Sequence, residues 1–142
     1  MQCAPTCNDS NDVDDKQTIK ALVVDDEKVV RDFLTRFLSL KGTEAKAVED
    51  EFEAIEAVKK DKFDIVFLEL SQRTHKTDAT AALRELKEIN PHGEYVIMAT
   101  HLDEDLWEEA KKQGAAVCFK KPFDLDELML EINRIRRLRD VF

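Results

Sequence analysis

Apolar and polar positions change period several times along the chain, and each change marks an element. Ile19 to Val24 is a short apolar strand, followed by Asp25-Asp26. From about Glu27 to Leu40, residues Val29, Val30, Phe33, Leu34, Phe37 and Leu38 recur at helical spacing on one wide face. Gly42 is placed to stop that helix. A strand from about Glu44 to Val48 follows, then a helix from about Phe52 to Lys60 with Phe52, Ile55 and Val58 inward. Phe63 to Leu70 reads F-D-I-V-F-L-E-L. Its run of four apolar residues suits a strand covered on both faces. Ser71 to Thr77 has no periodicity and reads as a loop. The next helix, about Asp78 to Ile89, buries Leu83, Leu86 and Ile89 and ends at Asn90-Pro91-His92-Gly93. Tyr95 to Ala99 is a fourth strand, Leu102 to Gln113 a helix stopped by Gly114, and Ala116 to Phe119 a fifth strand. After the turn Lys121-Pro122-Phe123, Asp124 and Glu127 make a capping-box arrangement. The last helix carries Leu125, Leu128, Ile132, Ile135 and Leu138.

Regular alternation of strand and helix with short connections predicts an α/β domain, a parallel sheet with helices on both faces. Right-handed crossovers restrict its topologies. No internal repeat is visible. The chain ends with the fifth helix, so no output domain is expected after it.

Composition narrows the function classes. The 142 residues suit one domain, and an apolar content of 43% with 37% charged residues is that of a folded, well-solvated protein. The net charge of −9 argues against nucleic acid as a partner, because phosphate contacts need Lys and Arg. No apolar run approaches the ~20 residues of a membrane span, and the N-terminus has no signal-peptide core. A cytoplasmic protein with no membrane contact is expected. Residues 1–17 are polar and acidic and read as a disordered tail, leaving 18–142 as the domain. Cys3 and Cys7 lie in that tail without further metal ligands nearby, and Cys118 reads as a small apolar strand residue.

In an open parallel sheet the strands' carboxyl ends share one edge, where sites form. Asp25 and Asp26 follow the first strand, Glu69 ends the third, Thr100 follows the fourth and Lys121 follows the fifth. Each also has a structural explanation. The two aspartates and Thr100 are good helix caps, and Lys121 is an ordinary surface lysine. Together they make a chemical set. Carboxylates ~4 Å apart repel by about 4 kcal/mol per pair at an effective dielectric of about 20. A hard cation such as Mg²⁺ and the Lys121 ammonium would offset that repulsion. A carboxylate beside Mg²⁺, a lysine and a hydroxyl can receive and hold a phosphoryl group.

From Ile19 to Leu138 the chain resembles the receiver domain of two-component response regulators. L-V-V-D-D-E at 22–27 matches that family's first strand and acidic pair, and D-I-V-F-L-E-L at 64–70 its phosphoacceptor strand. V-I-M-A-T at 96–100 matches the fourth strand with its Thr, and F-K-K-P-F-D at 119–124 the Lys-Pro turn. The resemblance implies a doubly wound, flavodoxin-like fold with strand order 2-1-3-4-5 and a cis bond before Pro122. It implies phosphotransfer from a histidine kinase to an Asp, with Mg²⁺ held by Asp25, Asp26, the acceptor and the backbone carbonyl at Ser71. It also implies a switch through Thr100 and position 118.

The sequence departs from the pattern in several places. Glu69 stands where the family has Asp. Its extra methylene displaces the carboxylate, and a shift near ~1 Å costs on the order of a hundredfold where geometry is the catalyst. The family's Met-Pro-x-Met-Asp-Gly loop is replaced by S-Q-R-T-H-K-T-D-A-T, about two residues longer. Cys118 stands at the aromatic switch position, and Glu51 where a turn Gly is common. The expected function is a stand-alone, atypical receiver acting through protein contacts, a signalling module rather than an enzyme. The alternative is a receiver or phosphate sink that still takes a phosphoryl group on Glu69. A Mg²⁺-dependent phosphohydrolase would need a second acid two residues beyond the nucleophile, where Ser71 stands. The expected partner is a histidine kinase or a downstream signalling protein. It would meet the face of the fourth helix, fifth strand and fifth helix, with Trp107 either an anchor there or part of the core.

Overall fold

The computed structural model describes residues 19–70, 76–101 and 103–140, with side chains described except at 76–79 and 140. The proposed tail with Cys3 and Cys7, and residues 71–75 of the proposed loop with Ser71 among them, lie outside these residues, whereas Lys76 and Thr77, expected in that loop, already belong to the helix that follows. The strands are β1 (Lys20–Val24), β2 (Glu44–Val48), β3 (Ile65–Glu69), β4 (Glu94–Ala99) and β5 (Ala115–Lys120). The helices are α1 (Lys28–Leu40), α2 (Glu51–Lys60), α3 (Lys76–Ile89), α4 (Glu104–Lys112) and α5 (Leu125–Asp140). All strand pairs are parallel and the order is β2-β1-β3-β4-β5, as the sequence led us to expect.

Successive side chains of a strand point to opposite faces, and the central strands show why both faces must be covered. Leu22, Val24, Val66, Leu68 and Ile97 pack with Ala54, Ala57, Val58, Leu83, Leu86, Leu106 and Ala110 of α2, α3 and α4. Ala21, Val23, Ile65, Phe67, Val96 and Met98 pack on the other face with Leu34 and Leu38 of α1 and Leu128, Ile132 and Ile135 of α5. The unbroken apolar run of β3 therefore feeds two cores at once.

The punctuation is as expected at several ends. Gly42 and Gly114 stop α1 and α4 with φ of 84° and 107°, a region open to glycine at little cost. Asp50 caps α2 by accepting from Glu53 N, and Asp124 accepts from Asp126 N at 2.9 Å at the start of α5. The bond before Pro122 is cis.

Three expected inward residues are not inward. Phe52 is 74% exposed, Val29 80% and Phe33 43%. Phe52 sits in the first turn of α2, beside the edge strand β2, where no further strand or helix among the described residues covers it. Val29 and Phe33 each precede an inward residue, Val30 or Leu34, and one residue is about 100° around a helix. The wide apolar stripe of α1 is thus broader than the surface it meets.

Candidate functional site

The register of the sheet brings the expected residues to one edge. Val24 pairs with Leu68 and Glu69 with Met98, so Asp25, Glu69 and the end of β4 come out together. Lys121 N donates to Ala99 O at 2.8 Å, which holds the β5 exit beside Thr100.

Lys121 is the hub. Its Nζ lies 2.7 Å from Asp25 Oδ2, 3.2 Å from Glu27 Oε1 and 3.7 Å from Glu69 Oε2. The Asp25 side chain is fully buried, and those of Lys121 and Glu69 are only 10% and 18% exposed. Asp25 is fixed from all sides: Oδ1 accepts from Glu27 N at 2.8 Å, and its carbonyl accepts from Arg31 Nη1 at 2.9 Å. Burial alone would lower the pKa of the Lys121 ammonium. The hydrogen bond and charge of Asp25, with Glu27 and Glu69, reverse that and hold it above its ordinary value. Glu69 goes the other way for a carboxylate. Burial first, then the Asp25 charge, push its carboxyl above the usual range, and Lys121 offsets only part of this. One cation serves three acids, and the nearest acid takes most of it.

Thr100 follows Ala99 directly and is exposed. It does not cap the next helix, because Asp103 does so, accepting from Asp105 N at 2.8 Å. The aspartate pair is not a side-chain cap for α1 either, since the N-cap residue there is Glu27. Cys118 pairs in register with Ile97 and packs, half-buried, against the α2–α4 core, where burial pushes its thiol up. Its neighbour Phe119 is buried in the opposite core. Trp107 leans on the α2–α4 core, with Lys111 Nζ 5.5 Å from its ring centroid.

Glu27 is the residue that sequence reasoning left out of the site. It was visible as the third acid of D-D-E, yet it also looked like the first residue of a helix. The oxygens of Asp25, Asp26 and Glu27 lie within 4.8 Å of one another. The donors are all hard carboxylate oxygens, and Asp26 and Glu27 are exposed, so a hydrated ion can approach. That chemistry fits Mg²⁺, which binds through one or two carboxylates while keeping several waters.

Residues 21–133 match the family model of the response regulator receiver domain. The chain is 29% identical over 109 residues to sporulation initiation phosphotransferase F of Bacillus subtilis, covering 77% of this chain and 86% of that protein. It is 32% identical over 112 residues to the DNA-binding transcriptional regulator NtrC of Escherichia coli, but spans only 24% of that protein's length. Among solved structures it is similar to a response regulator from Thermotoga maritima, with a TM-score of 0.76, 24% identity and coverage of 84% of this chain and 98% of that one. It is also similar in fold to a Burkholderia pseudomallei response regulator with a phosphorylated aspartic acid and a calcium ion, with a TM-score of 0.72 and 17% identity. That match covers 87% of this chain and 74% of that one.

Proposed function

The chain belongs to the response regulator receiver domain family, and we propose that it is a receiver whose phosphoacceptor position is held by Glu69. On this reading it signals through contact with a protein partner and has no phosphorylation cycle of its own. The observation that carries this is the Glu69 carboxylate, largely buried at the end of β3 and 3.7 Å from Lys121 Nζ.

Receivers work by placing an acceptor carboxylate, a cation and a lysine around one phosphoryl group, so position is the larger part of catalysis. Here Lys121 is already committed to Asp25 at 2.7 Å and Glu27 at 3.2 Å. Glu69 places its own negative charge in the space beside that lysine. Its longer side chain projects the carboxylate toward Lys121 rather than leaving room for a phosphoryl group between them. Asp25 and Asp26 would hold Mg²⁺. When bound, the ion supplies charge neutralisation at that edge. The chain's own contribution is to keep Asp25 dry and fixed, hold Lys121 protonated and fill the acceptor position.

Thr100 and Cys118 occupy the two switch positions. The Cys118 side chain is small and packs into the α2–α4 core, so an inward swing of the Thr100 hydroxyl has no aromatic ring to carry with it. That favours a fixed surface over a phosphorylation-gated one. The face of α4, β5 and α5 is the proposed contact surface for a histidine kinase or a downstream signalling protein. Trp107 is already half committed to the core there.

Incubation with acetyl phosphate and Mg²⁺, read by intact mass, tests the reading. The expected result is no adduct. A labile phosphoryl adduct that vanishes in Glu69→Gln would overturn it in favour of a working acceptor or phosphate sink.

A further inference from the structure

We propose that the open edge of β2 is a self-association surface. On it the β2 strand of a second copy of this chain pairs antiparallel about Ala45 and continues the sheet from one copy into the other.

The edge is built to accept a strand. β2 is an outer strand of the sheet, and its five residues, E-A-K-A-V, pair with β1 without proline or bulge. The other outer strand, β5, is interrupted by a register shift between Tyr95 and Val96, a device that blunts an edge. The pairing with β1 fixes which backbone groups of β2 face outward. Glu44 N donates to Ile19 O and Val48 O accepts from Asp25 N, so Glu44, Lys46 and Val48 turn their backbone groups toward β1. Successive residues of the strand alternate in this respect. Ala45 and Ala47 therefore turn both N–H and C=O outward, where no strand among the described residues meets them.

The charges select the occupant and its register. Glu44 and Lys46 are both exposed, and they alternate onto the same sheet face as Val48, the face that α2 covers. The Glu44 carboxylate is 64% exposed and only 3.6 Å from Lys20 Nζ, a loose contact that lets it turn. When two β2 strands pair about Ala45, the two Ala45 residues form a hydrogen-bonded pair, as their outward groups require. Glu44 of each copy then stands opposite Lys46 of the other. Those are non-hydrogen-bonded positions, where Cα atoms come within about 4.5 Å and side chains are closest. Centring the pair on Glu44 or on Lys46 instead sets like charges face to face. The strand is thus complementary to itself in this register, and a twofold axis uses the Glu–Lys pair twice. On the same face a groove of about 290 Å³ runs between Lys46 and Val48 of β2 and Phe52, Glu53 and Glu56 of α2. An added strand ~4.8 Å beyond β2 widens the floor of that groove. It gives Phe52, 74% exposed at the groove wall, the cover it lacks in the single chain.

Sedimentation equilibrium of the full chain measures the association, and backbone amide exchange locates it, in the parent, Lys46→Glu, Glu44→Lys and the double variant carrying both. The parent is expected to dimerise, with the amides of Ala45 and Ala47 becoming protected as concentration rises. Each single reversal replaces two opposite-charge pairs by two like-charge pairs and is expected to raise the dimer Kd by ~10-fold or more. The double variant restores both pairs and is expected to return to within about threefold of the parent. A parent that stays monomeric at about 1 mM, the weak end of specific affinity, would overturn the proposal. So would a double variant as weak as the single ones, or a dimer in which Ala45 and Ala47 exchange as they do in the monomer. The amide spectra also report whether each variant is folded. The result is independent of whether Glu69 takes a phosphoryl group.

Discussion

The two ends of the sheet handle polar groups in opposite ways. At the amino end of the strands the buried side chains Asn90 and Tyr95 are neutral and hydrogen-bonded to each other and to backbone. Asn90, buried, accepts from Phe63 N at 3.2 Å and donates to Phe63 O at 3.0 Å, while the Tyr95 hydroxyl meets Leu86 O at 2.9 Å and Asn90 O at 2.7 Å. Arginines of α5 close this end from outside. Arg134 pairs with Glu94 and Glu131, Arg136 with Lys41 O and Thr43, and Arg139 with His92 O and Asp64. At the carboxyl end, Asp25, Glu27 and Glu69 share Lys121. Matched neutral groups rigidify, because each bond replaces one to water without leaving a buried charge. A surplus of carboxylates stores repulsion that a ligand or cation can relieve. One end is built to stay shut and the other to respond.

The largest effect is expected at the responsive end. Lys121→Met leaves Asp25 buried without its cation and should cost about 3–5 kcal/mol, the scale for breaking a buried pair. Urea unfolding in the presence of a chelator measures it. A cost below that of any variant at the amino end would break the picture of one lysine holding the site. Next is Asn90→Ala, which strands the N–H and C=O of Phe63 away from water and should cost ~2–3 kcal/mol in the same assay. A near-neutral result would mean that water replaces the amide and that the amino end is not closed.

Smallest, and opposite in sign, is Glu69→Gln. The folded state holds the Glu69 carboxyl above its ordinary value, through burial and then Asp25. Folding is therefore favoured while that group is protonated, and this contribution is lost as pH rises through the raised value. At neutral pH, above the unfolded carboxyl's value, Glu69 therefore weakens the fold, so Gln should stabilise it by ~0.5–2 kcal/mol, the usual size of such gains. The difference between the two proteins should shrink as pH falls below the unfolded carboxyl's value. A destabilised Glu69→Gln at neutral pH would show that the Lys121 contact outweighs burial.

Particular residues show where sequence reasoning succeeded and where it stopped. Every strand and helix was legible, because period 2 or an unbroken apolar run against period 3.6 is a local property. The stops at Gly42 and Gly114 and the caps at Asp50 and Asp124 are also local. Asp25, Asp26, Glu69, Thr100 and Lys121 could be assembled in advance, because strand ends in a parallel sheet must share an edge. Phe52, Val29 and Phe33 were misjudged, because an apolar face says nothing of how much surface lies opposite it. Glu27 was left aside because its place in the site depends on Lys121, 94 residues away in the chain.

The order of motifs by itself determined the α/β architecture and the identity of the acids and the lysine, since these follow from short-range pattern. Which acid Lys121 serves most closely was decided only by tertiary structure. That choice is a matter of 2.7 Å against 3.7 Å between groups carried by different strands. It depends on the buried, doubly tied Asp25 reaching the ammonium before Glu69 does.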